Sequence, residues 1–199
     1  MVARRLVKWP NPSLLRPSEP IETFDETVVQ LAVDLRDTMK VNHGAGLAGT
    51  QIGETLAGCV LTTSYVPSLP ADPNVPDVVF FGNPEIEYLS GKDYRWDEGC
   101  LSVDEITASV NRHGKIRLTY RNTAGVPLEA VLEGSEAASV QHETDHLLGR
   151  LFIHRLEGAT RSIVTRKLRK ISLKKQAILK AERTRNSIPK RKNRKRRKK

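Results

Sequence analysis

His142, Glu143 and His146 stand in the order His-Glu-x-x-His. On a helix, positions four apart share a face, with about 5–6 Å between their Cβ atoms. Two imidazoles so placed can bind one metal ion, and the carboxylate beside the first can take and return a proton during hydrolysis. The same spacing also fits a pair of surface histidines, so the chemistry depends on a third ligand. A catalytic site takes three protein ligands and leaves one position open. Downstream, Phe152 stands where one metalloprotease class has its third histidine, and His154 comes two residues late. The acids beyond His146 are Glu157 and Glu182, neither in a convincing context. Upstream, Cys100 lies in Glu98-Gly99-Cys100-Leu101-Ser102. A thiolate with two imidazoles suits Zn2+ or Fe2+. A lone cysteine is more often a small core residue, but the flanking Gly and Ser point to an exposed turn.

A third segment runs Gly44-Ala45-Gly46-Leu47-Ala48-Gly49-Thr50-Gln51-Ile52-Gly53. Its glycines let a substrate backbone approach closely, and the Gln51 amide can donate a hydrogen bond. It has no Gly-Lys-Ser/Thr ending, which excludes the common phosphate-binding loop. In order and spacing, the three segments resemble the signature motifs of peptide deformylases. These are Gly-x-Gly-Leu-Ala-x-x-Gln at 44–51, Glu-Gly-Cys-Leu-Ser at 98–102 and Gln-His-Glu-x-x-His at 141–146. The similarity extends over roughly residues 5–157.

The resemblance implies hydrolysis of the N-formyl group from formyl-methionyl nascent polypeptides, with release of formate. It implies Cys100, His142 and His146 as ligands of one divalent ion, Fe2+ in the cell, with Zn2+ or Ni2+ able to replace it. Glu143 would be the acid and base. The Gln51 side chain and the Leu101 backbone N–H would donate to the reacting oxygen. Gly44, Ala45 and Gly46 would bind substrate, and Glu98 with Arg112 would form an ion pair bracing the cysteine loop. The chain departs from the family pattern at Gly49 and Thr50, where Ala and Pro are usual. It also departs at Ala45, usually a bulky aliphatic, and at Asp104, often Pro. A wider pocket near Ala45 is expected. Two alternatives are a metalloprotease, which lacks its downstream ligand here, and a noncatalytic RNA-binding protein on a deformylase-like scaffold.

Positioning these groups requires a helix around 135–148, with Ser135 as N-cap and Gly149 as its stop. An earlier helix is expected after a Thr23/Glu26 capping box, with Val28, Leu31, Ala32, Leu35 and Met39 on one face. Strands are expected at 56–62, 78–81 and 86–89, and over the alternating residues 116–120 and 126–132. The proline-rich stretch 64–77 reads as an inserted loop. Together these predict an α+β fold, with mixed or antiparallel sheets packed around the metal-binding helix and a C-terminal basic helical extension. The catalytic domain is expected at 1–159, followed by a basic helix and tail at 160–199.

Charge supports that division. Residues 155–199 carry twenty Lys and Arg against two acids, whereas residues 1–154 carry thirteen bases against twenty-one acids. On the late helix, Val164, Leu168, Ile171 and Ile178 form a narrow apolar seam. Ser187-Ile188-Pro189 should break it, and the final basic run should be disordered through self-repulsion. Such a tail binds phosphates, and the resemblance implies the ribosome and its RNA as partner. No apolar run approaches the roughly 20 residues of a membrane span, and Pro10 and Pro12 interrupt any secretory signal. Cys59 and Cys100 read as free thiols in a cytoplasmic protein. His43 reads as a helix-end residue, His113 and His154 as surface residues, Cys59 as core, and Trp9 and Trp96 as packing residues. Asp145 should brace its helix or face solvent.

Overall fold

Apolar residues alternate along Gly58–Thr62, which is β2, so that Cys59 and Leu61 face one side of a sheet and Val60 the other. The computed structural model describes residues 3–187. The expected break at Ile188 and Pro189 and the final basic run lie outside the described residues. β2 pairs with β1 (Gly46–Ala48) and with β3 (Val78–Tyr88). β3 continues to β6 (Lys115–Arg121) and β6 to β7 (Pro127–Glu133), giving an antiparallel sheet in the order β1-β2-β3-β6-β7. The two short strands expected at 78–81 and 86–89 are therefore one. Its register shifts between Gly82 and Glu85, where Pro84 follows Asn83 at φ +48°. That irregularity breaks the alternation, so the sequence reads as a turn.

A separate two-stranded hairpin joins β4 (Tyr94–Cys100) to β5 (Val103–Arg112). No strand was expected there, because β4 is rich in charge and buries little besides Glu98. The first helix, α1 (Glu26–Val41), is capped by Asp25 rather than Thr23: the Asp25 carboxylate accepts the Thr27 N–H at 2.9 Å. Its Val28, Leu31, Leu35 and Met39 pack with Leu47, Val60, Val78 and Phe80 on one face of the sheet.

The opposite face is covered by α2 (Gly134–Leu147), through Ala137, Val140 and Leu147 against Leu61, Val79, Phe81, Ile116 and Leu118. Ser135 falls inside the first turn, and Glu133 precedes the helix without a side-chain cap. Gly149 does end it, at φ +68°; a Cβ there would lie 2.6 Å from the Leu15 carbonyl oxygen. A third cluster joins Leu14, Val103, Ile106, Leu151 and Phe152 to α3 (Gly158–Ser187). The α3 seam is buried at Val164 and Leu168, while Ile178 is 49% exposed.

Candidate metal centre

From Ala137 to Leu147 every residue of α2 is buried except His142, which is half-buried. A helix reading Gln-His-Glu-Thr-Asp-His can sit inside a protein only if its polar groups find partners there. The nearest partner is the hairpin. At the β4–β5 turn the register changes from Gly99 opposite Thr107 to Cys100 opposite Val103. This irregularity bends the strand end and turns Cys100 toward α2. Cys100 is thus the last residue of a strand, half-buried beside the turn of Leu101 and Ser102.

Cys100 Sγ lies 3.3 Å from His146 Nε2, and the His142 and His146 rings are 5.1 Å apart. The ligand atoms of Cys100, His142 and His146 all lie within 4.8 Å of one another. A tetrahedral ion with ordinary Zn–S and Zn–N distances places its sulfur and nitrogen ligands roughly 3.6 Å apart, so these donors fit one ion. Burial opposes ionisation of Cys100, but His146 and His142 bring its thiol down to about 5. At neutral pH it is a thiolate, the form that binds metal.

His142 presents a fixed face. Its Nδ1 lies 2.6 Å from Glu98 Oε2, so Nδ1 is committed to the carboxylate and Nε2 is the ring nitrogen left to face an ion. Glu98 also accepts from Arg112, at 2.6 Å to Nε and 2.9 Å to Nη2. The Arg112 Nη1 reaches Asp145 Oδ2 at 2.5 Å, and Arg155 donates to both Asp145 oxygens, through Nε at 3.0 Å. Glu98, Arg112 and Asp145 are each 3% exposed. Burial works against both carboxylates. The bonds from His142 and Arg112 still hold Glu98 below the usual carboxylate range, and those from Arg155 and Arg112 do the same for Asp145.

Gln51 sits on a single 3-10 turn, Gly49–Ile52. Its Oε1 accepts the Ala48 N–H at 2.8 Å, which settles the amide orientation. The Nε2 hydrogens consequently face Ser102 Oγ at 3.1 Å and Cys100 Sγ at 3.4 Å. Glu143 lies beneath Gly46, where a Cβ would collide with its Oε1. Its Oε2 is buried with no partner among the described residues. Burial pushes this carboxyl up, with Cys100 and Glu98 adding to the effect against the two histidines. A cleft of about 520 Å³ opens over these groups, lined by Gly44, Ala45, Gly46, Gln51, Leu101 and Glu143 among others.

The polypeptide deformylase family model matches residues 3–162. The chain belongs to the polypeptide deformylase family. It is 37% identical over 170 residues to a peptide deformylase of Aquifex aeolicus, spanning 85% of this chain and 97% of that protein. A crystal structure of a Legionella pneumophila peptide deformylase matches with a TM-score of 0.73 at 31% identity, covering 94% of this chain and all of the other. An Acinetobacter baumannii deformylase solved with Met-Ala-Ser bound matches with a TM-score of 0.68 at 29% identity, over 78% of this chain and 99% of that one. The activity is that of the family: metal-dependent removal of the N-formyl group from nascent peptides.

Within this deformylase, the residues singled out from sequence converge. Cys100, His142, Glu143, Gln51 and Leu101 line one cleft, His146 lies buried beside Cys100 and His142, and Glu98 pairs with Arg112 behind them. Asp145 does not face solvent. It is buried between two arginines. Sequence reasoning also passed over Ser102, Lys8, and the partners of Gln141, whose amide bonds the His113 backbone and the Ala137 carbonyl. Ser102 was legible as part of the Cys100 motif. Arg155 was not, because its contact with Asp145 is made in three dimensions beyond the helix end. His43 has φ +55° after α1 and lines the cleft, as do Trp96 and Tyr65.

Proposed function

We propose that Cys100, His142 and His146 hold one divalent ion, Fe2+ in the cell with Zn2+ or Ni2+ able to replace it, and that Glu143 moves the proton. The convergence of one sulfur and two imidazole nitrogens supports this assignment. When bound, the ion supplies Lewis-acid activation of water and of the formyl oxygen. Water attacks the formyl carbon and its proton goes to Glu143 Oε2, the atom with no partner among the described residues. A carboxyl raised by burial can hold that proton and return it to the amine nitrogen as the C–N bond breaks. Formate and a free N-terminal amine result. The Gln51 Nε2 hydrogens and the Leu101 N–H donate to the oxygen as negative charge develops on it.

The substrate is the formyl-methionyl end of a nascent polypeptide. The Met-Ala-Ser held by the Acinetobacter baumannii relative supports that choice. Gly44, Ala45 and Gly46 line the cleft where such a chain would lie, and the small Ala45 side chain leaves room for a bulky first residue. The setting is the cytoplasm, at the ribosome, with the basic segment 160–199 contacting ribosomal RNA. Twenty Lys and Arg in the last 45 residues support that partner. Formate release from formyl-Met and formyl-Phe peptides tests the reading. Glu143→Gln should lower turnover at least about 100-fold while its bound ion is retained. Turnover near the parent's would remove Glu143 from the reaction.

A further inference from the structure

Residues 7 to 9 of the N-terminal arm reach both loops that frame the cleft. The Val7 N–H donates to the Gln51 carbonyl at 2.8 Å, and the Trp9 N–H to the Ser102 carbonyl at 2.8 Å. Between them, Lys8 Nζ donates to the Leu101 carbonyl at 2.6 Å and pairs with Asp104 Oδ1 at 2.7 Å. Lys8, Leu101 and Asp104 all line the cleft. An exposed ion pair alone would contribute little. The bond to a backbone carbonyl inside a two-residue turn matters more. Both carbonyls of that turn are held by the arm: Leu101 by Lys8 and Ser102 by Trp9. On its other side the turn is bounded by the ladder pair of Cys100 and Val103. The peptide between Cys100 and Leu101 is thereby confined from both ends.

We propose that Lys8 is a positioning residue for deformylation: its ammonium, oriented by Asp104, clamps the Leu101 carbonyl and so aims the Leu101 N–H at the reacting oxygen. This rests on the reading of that N–H as a donor to the oxygen. Where the family often has proline at 104, this chain has the carboxylate that Lys8 pairs with. A donor fixed before reaction stabilises developing charge without reorganising, so freeing the turn slows the chemical step more than it weakens binding.

Steady-state kinetics of the metal-loaded enzyme on a formyl-Met tripeptide test it, with Lys8→Met, Lys8→Arg and Glu143→Gln in parallel. Lys8→Met should lower kcat about tenfold, with KM within about twofold and the bound ion and thermal midpoint unchanged. Lys8→Arg should recover most of kcat, because a guanidinium can also reach the carbonyl. An unchanged kcat in Lys8→Met, or a change confined to KM, would overturn the proposal. So would a loss of kcat that follows a lost ion or a lowered midpoint and that arginine does not restore. If Glu143→Gln stays active, the assignment of the reaction fails instead, independently of Lys8.

Discussion

Glu98 accepts two bonds from Arg112 and one from His142, and each has a separate consequence. The His142 bond fixes which ring nitrogen is left for an ion. The Arg112 bonds make it tolerable to bury the carboxylate at all. Arg112 also bonds Asp145, which Arg155 pairs with as well, so one guanidinium bridges two buried acids. Arg112→Met would leave both carboxylates short of charge. It should destabilise the fold by about 3–5 kcal/mol, the usual cost of breaking a buried pair by removing one partner. A urea unfolding curve reads this directly, and an unshifted midpoint would mean that the network does not hold the site. The pairing of Glu98 with Arg112 was expected from motif resemblance. Of the two roles expected of Asp145, bracing its helix or facing solvent, the second fails, since nothing in the local sequence shows Arg155 folding back on it.

Among the elements, α2 and the β4–β5 hairpin bring the sulfur to the imidazoles, and they were unequally legible. The spacing of His142 and His146 announced a helix with both rings on one side. The hairpin was missed because the inward side of Tyr-Arg-Trp-Asp-Glu-Gly-Cys carries no aliphatic residue, and its one fully buried residue, Glu98, is an acid whose burial depends on distant partners. β1 was missed for its length, three residues in a glycine-rich run. Its Gly46 nevertheless sets the position of Glu143. A methyl there would meet Glu143 Oε1 and lie 2.6 Å from Leu61 Cδ2, and both lie in packed surroundings. Gly46→Ala should therefore displace the carboxylate and cut formate release about 100-fold while the bound ion stays. Near-parental turnover would show that the Glu143 position is not so constrained.

At the scale of the whole molecule, acidic and basic residues are segregated along the chain, with the bases concentrated after residue 154. The basic helix is not a detached appendage. Val164 and Leu168 are buried against Leu14, Val103 and Phe152, so the first turns of α3 belong to the core. A truncation that tests the tail must spare them. A chain ending at Leu173 should deformylate short formyl peptides at the parental rate, releasing formate as before, while its co-sedimentation with ribosomes falls. Undiminished co-sedimentation would rule out the removed segment as the contact. The α+β class and the division of charge followed from periodicity and composition; the docking of α3 depended on which side of its seam met the body. The claim on which the chemistry depends is that one ion is shared by Cys100, His142 and His146. X-ray absorption at the metal edge of the loaded enzyme measures it most directly. The prediction is one sulfur at about 2.3 Å and two nitrogens at about 2.0–2.1 Å, with the sulfur contribution lost in Cys100→Ser. A spectrum without sulfur, or one that Cys100→Ser leaves unchanged, would contradict it.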